Sequence, residues 1–156
     1  IPNDAPDKIV ELDSLTGREL SRFNAPVAFS SGLAFDGANT LYLLNGTTLY
    51  ELNANTGAVL DTDPVGVTGQ LEGLAYNNGK VYFSRSTSDL ATKVANIDLF
   101  EFDPAGNGSL TRTIDIDAAN PNLQRFTVYA PRLDGLAGLG RTGTLAANPT
   151  TPQPPS

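Results

Sequence analysis

The chemistry open to this chain is carried by its carboxylates, because none of its 156 residues is Cys or His. Without these residue types, a thiolate nucleophile, a Cys-based zinc site and a Ser–His–Asp arrangement are excluded. Asp and Glu oxygens can instead hold a hard cation such as Ca²⁺, which could in turn activate a water molecule. Acidic residues that the fold could bring close together are therefore the first candidates for a functional site.

Two acidic residues stand at the same position of a recurring pattern. Glu72 precedes the segment GLAY and Asp134 precedes GLA, whereas Ser31 holds the equivalent place before GLAF. If these segments are inner strands around an axis, Glu72 and Asp134 converge there and form a candidate Ca²⁺ site. The alternative is that both residues cap turns or lie solvated at the rim.

A second group of oxygen ligands lies near residue 120. Asp115, Asp117, Asn120 and Asn122 fall close together, although Pro121 interrupts them and the spacing is not that of an EF-hand loop. Asp115 and Asp117 are therefore further candidate Ca²⁺ ligands. Turn formation by Asp, Asn and Pro is the alternative interpretation.

Three glutamates recur at one position of a second pattern. Glu11, Glu51 and Glu101 lie in the segments KIVELD, TLYELN and DLFEFD. A catalytic role is not expected three times over, whereas a packing role recurs naturally in stacked repeats. We interpret each glutamate as making the same structural contact, such as a cross-strand pair with Arg or Thr.

Short strands must position these residues. Apolar segments of four to six residues alternate with turns such as Asn45-Gly46, and no segment has helical periodicity over the length of a helix. Four such strands in each repeat of about 40 residues are typical of β-propeller blades. The sequence therefore predicts an all-β fold of antiparallel four-stranded blades, with residues 111–117 as a half-exposed outer strand.

The order of the strands predicts split terminal blades. With the Gly-Leu-Ala strand as strand a, the chain reads c-d, then a-b-c-d twice, then a-b over residues 134–147. Residues 1–147 then form one domain holding three blades' worth of strands, and residues 148–156 form a Pro-rich extended tail. Closed propellers have four or more blades. The a-b end of one copy is therefore expected to complete the c-d end of another, in a ring or a filament, unless the chain is part of a longer propeller.

Two segments interrupt the repeat and are candidates for binding. Residues 84–96 are expected to lengthen a loop between strands b and c, and residues 117–131 to lengthen the loop before the last strand a. Long loops on a rigid scaffold often bind ligands, here a surface glycan or a protein. Asn45 and Asn107 each match the N-glycosylation sequon, and the Thr- and Pro-containing tail could carry O-linked sugar, although ordinary turns explain both Asn-Gly pairs.

The composition restricts the partners. Ten basic against 17 acidic residues give a net charge of −7, which disfavours nucleic acid and anionic membranes as partners. No apolar run approaches the about 20 residues of a membrane span. The absence of Cys, Met, Trp and His, together with much Thr, Asn, Gly and Ser, is typical of a durable extracellular or cell-surface protein.

The repeats SGLAFD, NTLYLLN and LYELNANTGAVL resemble the blades of secreted bacterial β-propellers, in the broad neighbourhood of NHL, SMP-30 and phytase-like esterase proteins. The resemblance covers residues 8–147. It implies a propeller fold, and for some relatives a calcium-dependent hydrolase whose metal is held by acidic residues at the axial mouth. Glu72 and Asp134 match that ring, whereas Ser31 departs from it.

The first functional hypothesis is a non-enzymatic, extracellular structural or adhesive module that assembles head to tail, with no cofactor assigned other than the candidate Ca²⁺. One alternative is a calcium-dependent hydrolase of the phytase-like or lactonase type, with the acidic residues near the axis. Another is a module that binds glycan or protein through its long loops.

Overall fold

The structure is a computed structural model that describes residues 7–28, 31–89 and 94–120. Within these residues the chain forms three antiparallel sheets, of two, four and four strands. The first sheet is the hairpin of β1 (Lys8–Leu12) and β2 (Glu19–Asn24). The second sheet has the order β3 (Gly32–Phe35), β4 (Thr40–Asn45), β5 (Thr48–Asn53) and β6 (Val59–Pro64). The third has the order β7 (Leu71–Asn77), β8 (Lys80–Asp89), β9 (Val94–Asp103) and β10 (Ser109–Asp115), followed by the short helix α1 (Ile116–Ala119).

The all-β prediction is confirmed, and the sheet sizes match the predicted order of a two-stranded unit followed by two four-stranded units. The described strands form separate antiparallel sheets and not a closed barrel or ring. Strands predicted within residues 134–147, and the tail from residue 148, lie outside the described residues. None of the described helices is long and apolar enough to cross a membrane.

The first two repeats form the same type of turn between their last two strands. The Asp13 side chain accepts hydrogen bonds from the backbone N–H groups of Leu15 and Thr16, and Asn53 does the same two and three residues ahead of itself. Each turn ends at a glycine with positive φ, 68° at Gly17 and 72° at Gly57. Such a conformation is strained for any residue with a Cβ atom.

The core lies between the second and third sheets. Alternate residues of each strand point to the same face, so an apolar set from both sheets meets there. Tyr42 stacks on Tyr76 with ring centroids 5.4 Å apart, and Phe83 stacks on Phe100 at the same distance. The fully buried members of this core are Leu44, Leu49, Val65, Leu71, Val81, Phe83 and Phe102.

The inner strands β3 and β7 approach each other closely at a glycine. A Cβ atom added at Gly32 would lie 2.7 Å from the Leu74 Cβ atom and 2.8 Å from the backbone of Gly73. Only glycine fits this position without moving the neighbouring backbone. The small residue at the start of the Gly-Leu-Ala segment therefore sets how near the two sheets can come.

The prediction of a long loop at residues 84–96 is wrong. β8 and β9 instead continue their pairing outwards, from Val81 opposite Phe102 to Asp89 opposite Val94. The Arg85 guanidinium pairs with the Asp98 carboxylate across the two strands at 2.7 Å and lies 5.3 Å from the centre of the Phe100 ring. These cross-strand contacts favour an extended hairpin over a loop.

The outer strand was predicted over residues 111–117, whereas β10 spans Ser109–Asp115. It ends where the Asp115 side chain accepts a hydrogen bond from the Ala118 N–H and caps α1. A single helical turn is too short to show helical periodicity in the sequence. Beyond residue 120, the second predicted loop lies outside the described residues.

Replacing Gly57 by Ala tests the contact between the first hairpin and the second sheet. A methyl group there would lie 2.2 Å from the Phe23 ring, whereas nothing lies within 4 Å of the same position at Gly17. Gly17→Ala should lower the free energy of unfolding by about 1 kcal/mol, through the strain of positive φ alone. Gly57→Ala should cost about 1–3 kcal/mol more, because the ring must move. Equal losses in urea unfolding would show that the hairpin does not pack on this turn.

Candidate functional site

Glu72 lies on β7, an edge strand of the third sheet, directly before the Gly-Leu-Ala segment. Its Oε1 atom accepts a hydrogen bond of 2.9 Å from the Gln70 side chain, and its backbone carbonyl accepts one from the Ser84 hydroxyl. Asp134 lies outside the described residues. Convergence of these two carboxylates on a Ca²⁺ ion therefore stays a prediction.

Asp115 and Asp117 both bind backbone groups. Asp115 caps α1, and the buried Asp117 carboxylate accepts a 2.6 Å hydrogen bond from the Ile97 N–H on β9. Asn122, the last member of the predicted cluster, is not among the described residues. Within the described ranges, no three acidic side chains are grouped closely enough to hold a metal ion.

The structural interpretation of the recurring glutamates is confirmed at two of the three positions. The Ser21 hydroxyl donates to Glu11 at 2.9 Å across the first hairpin. Glu101 lies opposite Arg112 and accepts hydrogen bonds from the hydroxyl groups of Thr111, at 2.8 Å, and Tyr82, at 3.0 Å. In both repeats the outer strand therefore supplies a donor to the glutamate.

Glu51 is the exception, because the residue opposite it on the outer strand is Asp61. Cross-strand partners have Cβ atoms about 5 Å apart, and like charges at that separation repel each other. In each repeat the strand pairing also shifts register directly beside the glutamate. Such bulges re-aim neighbouring side chains and often border functional sites.

A second departure from the repeat adjoins the first. Leu49 lies opposite Asp63, whereas the equivalent pairs are Ile9 with Phe23 and Leu99 with Ile114. An aspartate thus stands where the other two repeats have an apolar side chain. Asp63 is only 4% exposed, and its Oδ2 atom has no hydrogen-bond partner.

The first departure, Glu51 opposite Asp61, lines a cleft between the second and third sheets, and Asp63 is buried behind it. The cleft has a volume of about 280 Å³ and opens to solvent. Its lining comprises Tyr42, Glu51, Asp61, Gly79, Pro104, Ala105 and Gly106, none of which is basic. We call these residues, together with the buried Asp63 on the same sheet face, the acidic cleft.

Lys80 follows Gly79 at the edge of the acidic cleft and is ion-paired with Asp103. Among the described residues, no hydrogen bond or ion pair joins a basic side chain to Glu51, Asp61 or Asp63. The cleft therefore concentrates negative charge that no basic side chain of residues 7–28, 31–89 and 94–120 neutralises.

The electrostatics of the acidic cleft follow from burial and mutual repulsion. Burial raises the pKa of Glu51, and the nearby carboxylates of Asp61 and Asp63 raise it further. Burial likewise raises the pKa of Asp63, with Asp61 as the second cause. Burial raises the pKa of the Tyr42 phenol, and the neighbouring Glu51 adds to that effect, so this hydroxyl remains protonated.

The glutamate pattern alone does not reveal this site, although the sequence carries a signal for it. Because Glu51 recurs with Glu11 and Glu101, it was interpreted as purely structural. The informative feature was the outer strand of the second repeat, whose segment LDTD carries aspartates where the first repeat has Ser21 and Phe23. Aligning the outer strands would have shown which glutamate lacks a donor.

No family profile matches the chain, and no curated protein shows significant similarity to it. The function must therefore be inferred from the geometry described above.

Replacing Asp63 by Val should stabilise the protein at neutral pH. The carboxyl group is buried without a partner for Oδ2, so its removal should raise the free energy of unfolding at pH 7 by about 1–3 kcal/mol. Val is a β-branched apolar residue, as is the equivalent Ile114.

The pH dependence has a definite sign. Since the folded-state pKa of Asp63 is raised, its protonated form favours the fold, and stability from this group is lost as pH rises through that pKa. Urea unfolding at pH 4, near the ordinary aspartate pKa of 3.8, and at pH 7 should show a smaller loss of stability between these values for Asp63→Val than for the wild type. A variant that is less stable at pH 7 would mean that the carboxylate has a stabilising partner.

Proposed function

We propose that this protein is an extracellular, non-enzymatic propeller-type module, with a structural or adhesive role, which assembles head to tail by completing its split terminal blades. The observation that carries this proposal is the open inner end of the second sheet, next to a first sheet of only two described strands.

The contact between β3 and β7 provides the packing rule. Gly32 and Ala34 point to one face of β3, and that face meets Leu74 and Tyr76 of β7. The small residues of one Gly-Leu-Ala strand thus cover the large residues of the next. As a result, Leu74 is only 4% exposed.

The opposite face of β3 carries the residues equivalent to Leu74 and Tyr76. These are Leu33 and Phe35, which are 46% and 49% exposed. Farther out on the same sheet face, Leu43 and Leu52 are buried. The face is therefore open at its inner end, where another Gly-Leu-Ala strand would pack by the same rule.

The third copy of that segment, GLA at residues 135–137, has the same small residues in its sequence. We propose that this strand, from a neighbouring copy of the chain, covers Leu33 and Phe35. The strand at residues 142–147 of that copy would then pair with the edge of β1 that faces away from β2. Val10, Leu12 and Leu20 on the first hairpin are also exposed and would gain cover. Repetition of this heterologous contact gives a ring or a filament.

The hydrolase and loop-binding functions have less support. A calcium-dependent hydrolase depends on Asp134 lying beside Glu72. Binding of glycan or protein through two long loops loses one of them, because residues 84–89 and 94–96 belong to paired strands.

Replacing both Leu33 and Phe35 by Asp should abolish assembly. Burying two carboxylates against apolar partners is strongly unfavourable, whereas both side chains can remain solvated in the isolated chain. Light scattering on a size-exclusion column should show oligomers of the wild type and monomers of the double variant. The matched control is Leu15→Asp, at a turn residue that is 94% exposed, which should leave the oligomer intact. A monomeric wild type, or an oligomer that the double variant does not change, would overturn the proposal.

A further inference from the structure

Equivalent positions in the three repeats can be compared with one another. A residue type that only one repeat carries is not required by the fold that all three share. In the first and third repeats, the recurring glutamate receives a hydroxyl donor from the outer strand, and the adjacent outer-strand position is apolar. In the second repeat both positions are aspartates, Asp61 and Asp63. The fold does not require these carboxylates, because the two other repeats close without them.

Asp63 gives an independent sign that a positive ligand belongs here. Its side chain is more than nine-tenths buried, its Oδ2 atom has no partner, and strand alternation points it to the same face as Asp61 and Glu51. The carboxyl group packs beneath the loop that forms one wall of the acidic cleft. A Cβ atom added at Gly108 would lie 2.5 Å from its Cγ atom. Burying an uncompensated acidic group is unfavourable unless something neutralises its charge.

We propose that the acidic cleft binds a primary ammonium group carried on an alkyl chain, held between the carboxylates of Glu51 and Asp61 with Asp63 reinforcing the negative field from behind.

The chemistry of the cleft favours an ammonium over other cations. The described acidic residues do not gather in threes as a metal ion would require. The planar guanidinium forms its best contacts with both oxygens of one carboxylate, whereas a compact ammonium can distribute three donors over several acceptors. Glu51 and Asp61 present one carboxylate from each of two neighbouring strands, and Tyr42 adds a hydroxyl oxygen at the same row of the sheet.

The remaining walls suit the alkyl chain. Pro104, Ala105 and Gly106 form the opposite side of the cleft and carry no charged side chain. A volume of about 280 Å³ accommodates a short chain of methylene groups with its terminal ammonium. The ammonium could come from a small diamine or from a lysine side chain of another protein, since both present the same group.

Calorimetric titration of the whole 156-residue chain separates these two sources. One arm uses 1,4-diaminobutane and the other uses Nα-acetyl-lysine methylamide, and Nα-acetyl-arginine methylamide serves as the comparison. Saturable binding of either ammonium compound, tighter than that of the arginine compound, supports the proposal. The tighter of the two identifies the source. Absence of saturable binding for both ammonium compounds, or tighter binding of the arginine compound, would overturn it.

Glu51→Gln and Glu11→Gln form a matched pair of variants, because each removes one negative charge from the same position of a repeat. Glu51→Gln should weaken ammonium binding by roughly tenfold or more, since it removes a charge-assisted hydrogen bond. Glu11→Gln should leave binding unchanged, because Glu11 lies outside the acidic cleft and accepts a hydrogen bond from the Ser21 hydroxyl. Equal weakening of ammonium binding in both variants would show that only the net charge of the protein matters. That result would contradict a specific site at the acidic cleft.

Asp63→Val provides a second test that does not depend on a variant with reduced stability. It should bind the ammonium compound more weakly while unfolding at higher urea concentration than the wild type. Unchanged affinity in this variant would show that the buried carboxylate has no part in binding. These measurements do not depend on head-to-tail assembly, so either proposal can fail while the other stands.

Discussion

The close approach of β3 to β7 at Gly32 is the constraint on which the rest of the structure depends. Because a Cβ atom there would meet both the side chain and the backbone of its neighbour, the second and third sheets can pack only with glycine at this position. Their separation brings Tyr42 onto Tyr76 and encloses the apolar core between the sheets. It also places the loop at residues 104–108 against the outer strand of the second sheet, where the acidic cleft lies.

The same constraint links the fold to both proposals. β3 covers β7 with its small residues. Its other face carries Leu33 and Phe35, which are exposed and equivalent to the residues that β3 covers on β7. The proposed assembly between copies would repeat the packing of small on large residues that β3 and β7 already show within the chain. The acidic cleft shows the opposite behaviour, because Asp61 and Asp63 break a rule that the other repeats obey. The buried, unpartnered Asp63 is expected to reduce stability there, and local features that reduce stability are common where a protein binds a ligand.

The strand order and the hairpin turns could be predicted from the sequence, because glycine-containing turns and apolar segments of similar length recur at fixed spacing. The extended β8–β9 hairpin could not, since the polar segment RSTSD resembles a loop until Arg85 is placed opposite Asp98. The candidate site was missed for a related reason. Glu51 resembles its two counterparts locally, and only the pairing of strands shows that it faces Asp61 and lacks a donor. Pairing across strands is non-local information, which composition and periodicity do not contain.

Hydrogen–deuterium exchange of the backbone amides of β1 is the most direct test of the account, because completing the first blade would pair the edge of β1 that faces away from β2. We expect the outward-pointing amides of β1 to exchange quickly in dilute protein and to become protected at concentrations where assemblies form. The inward-pointing amides, which pair with β2, should be protected under both conditions. Rapid exchange at the outer edge of β1 in an assembled sample would contradict completion of the split blade as the means of assembly.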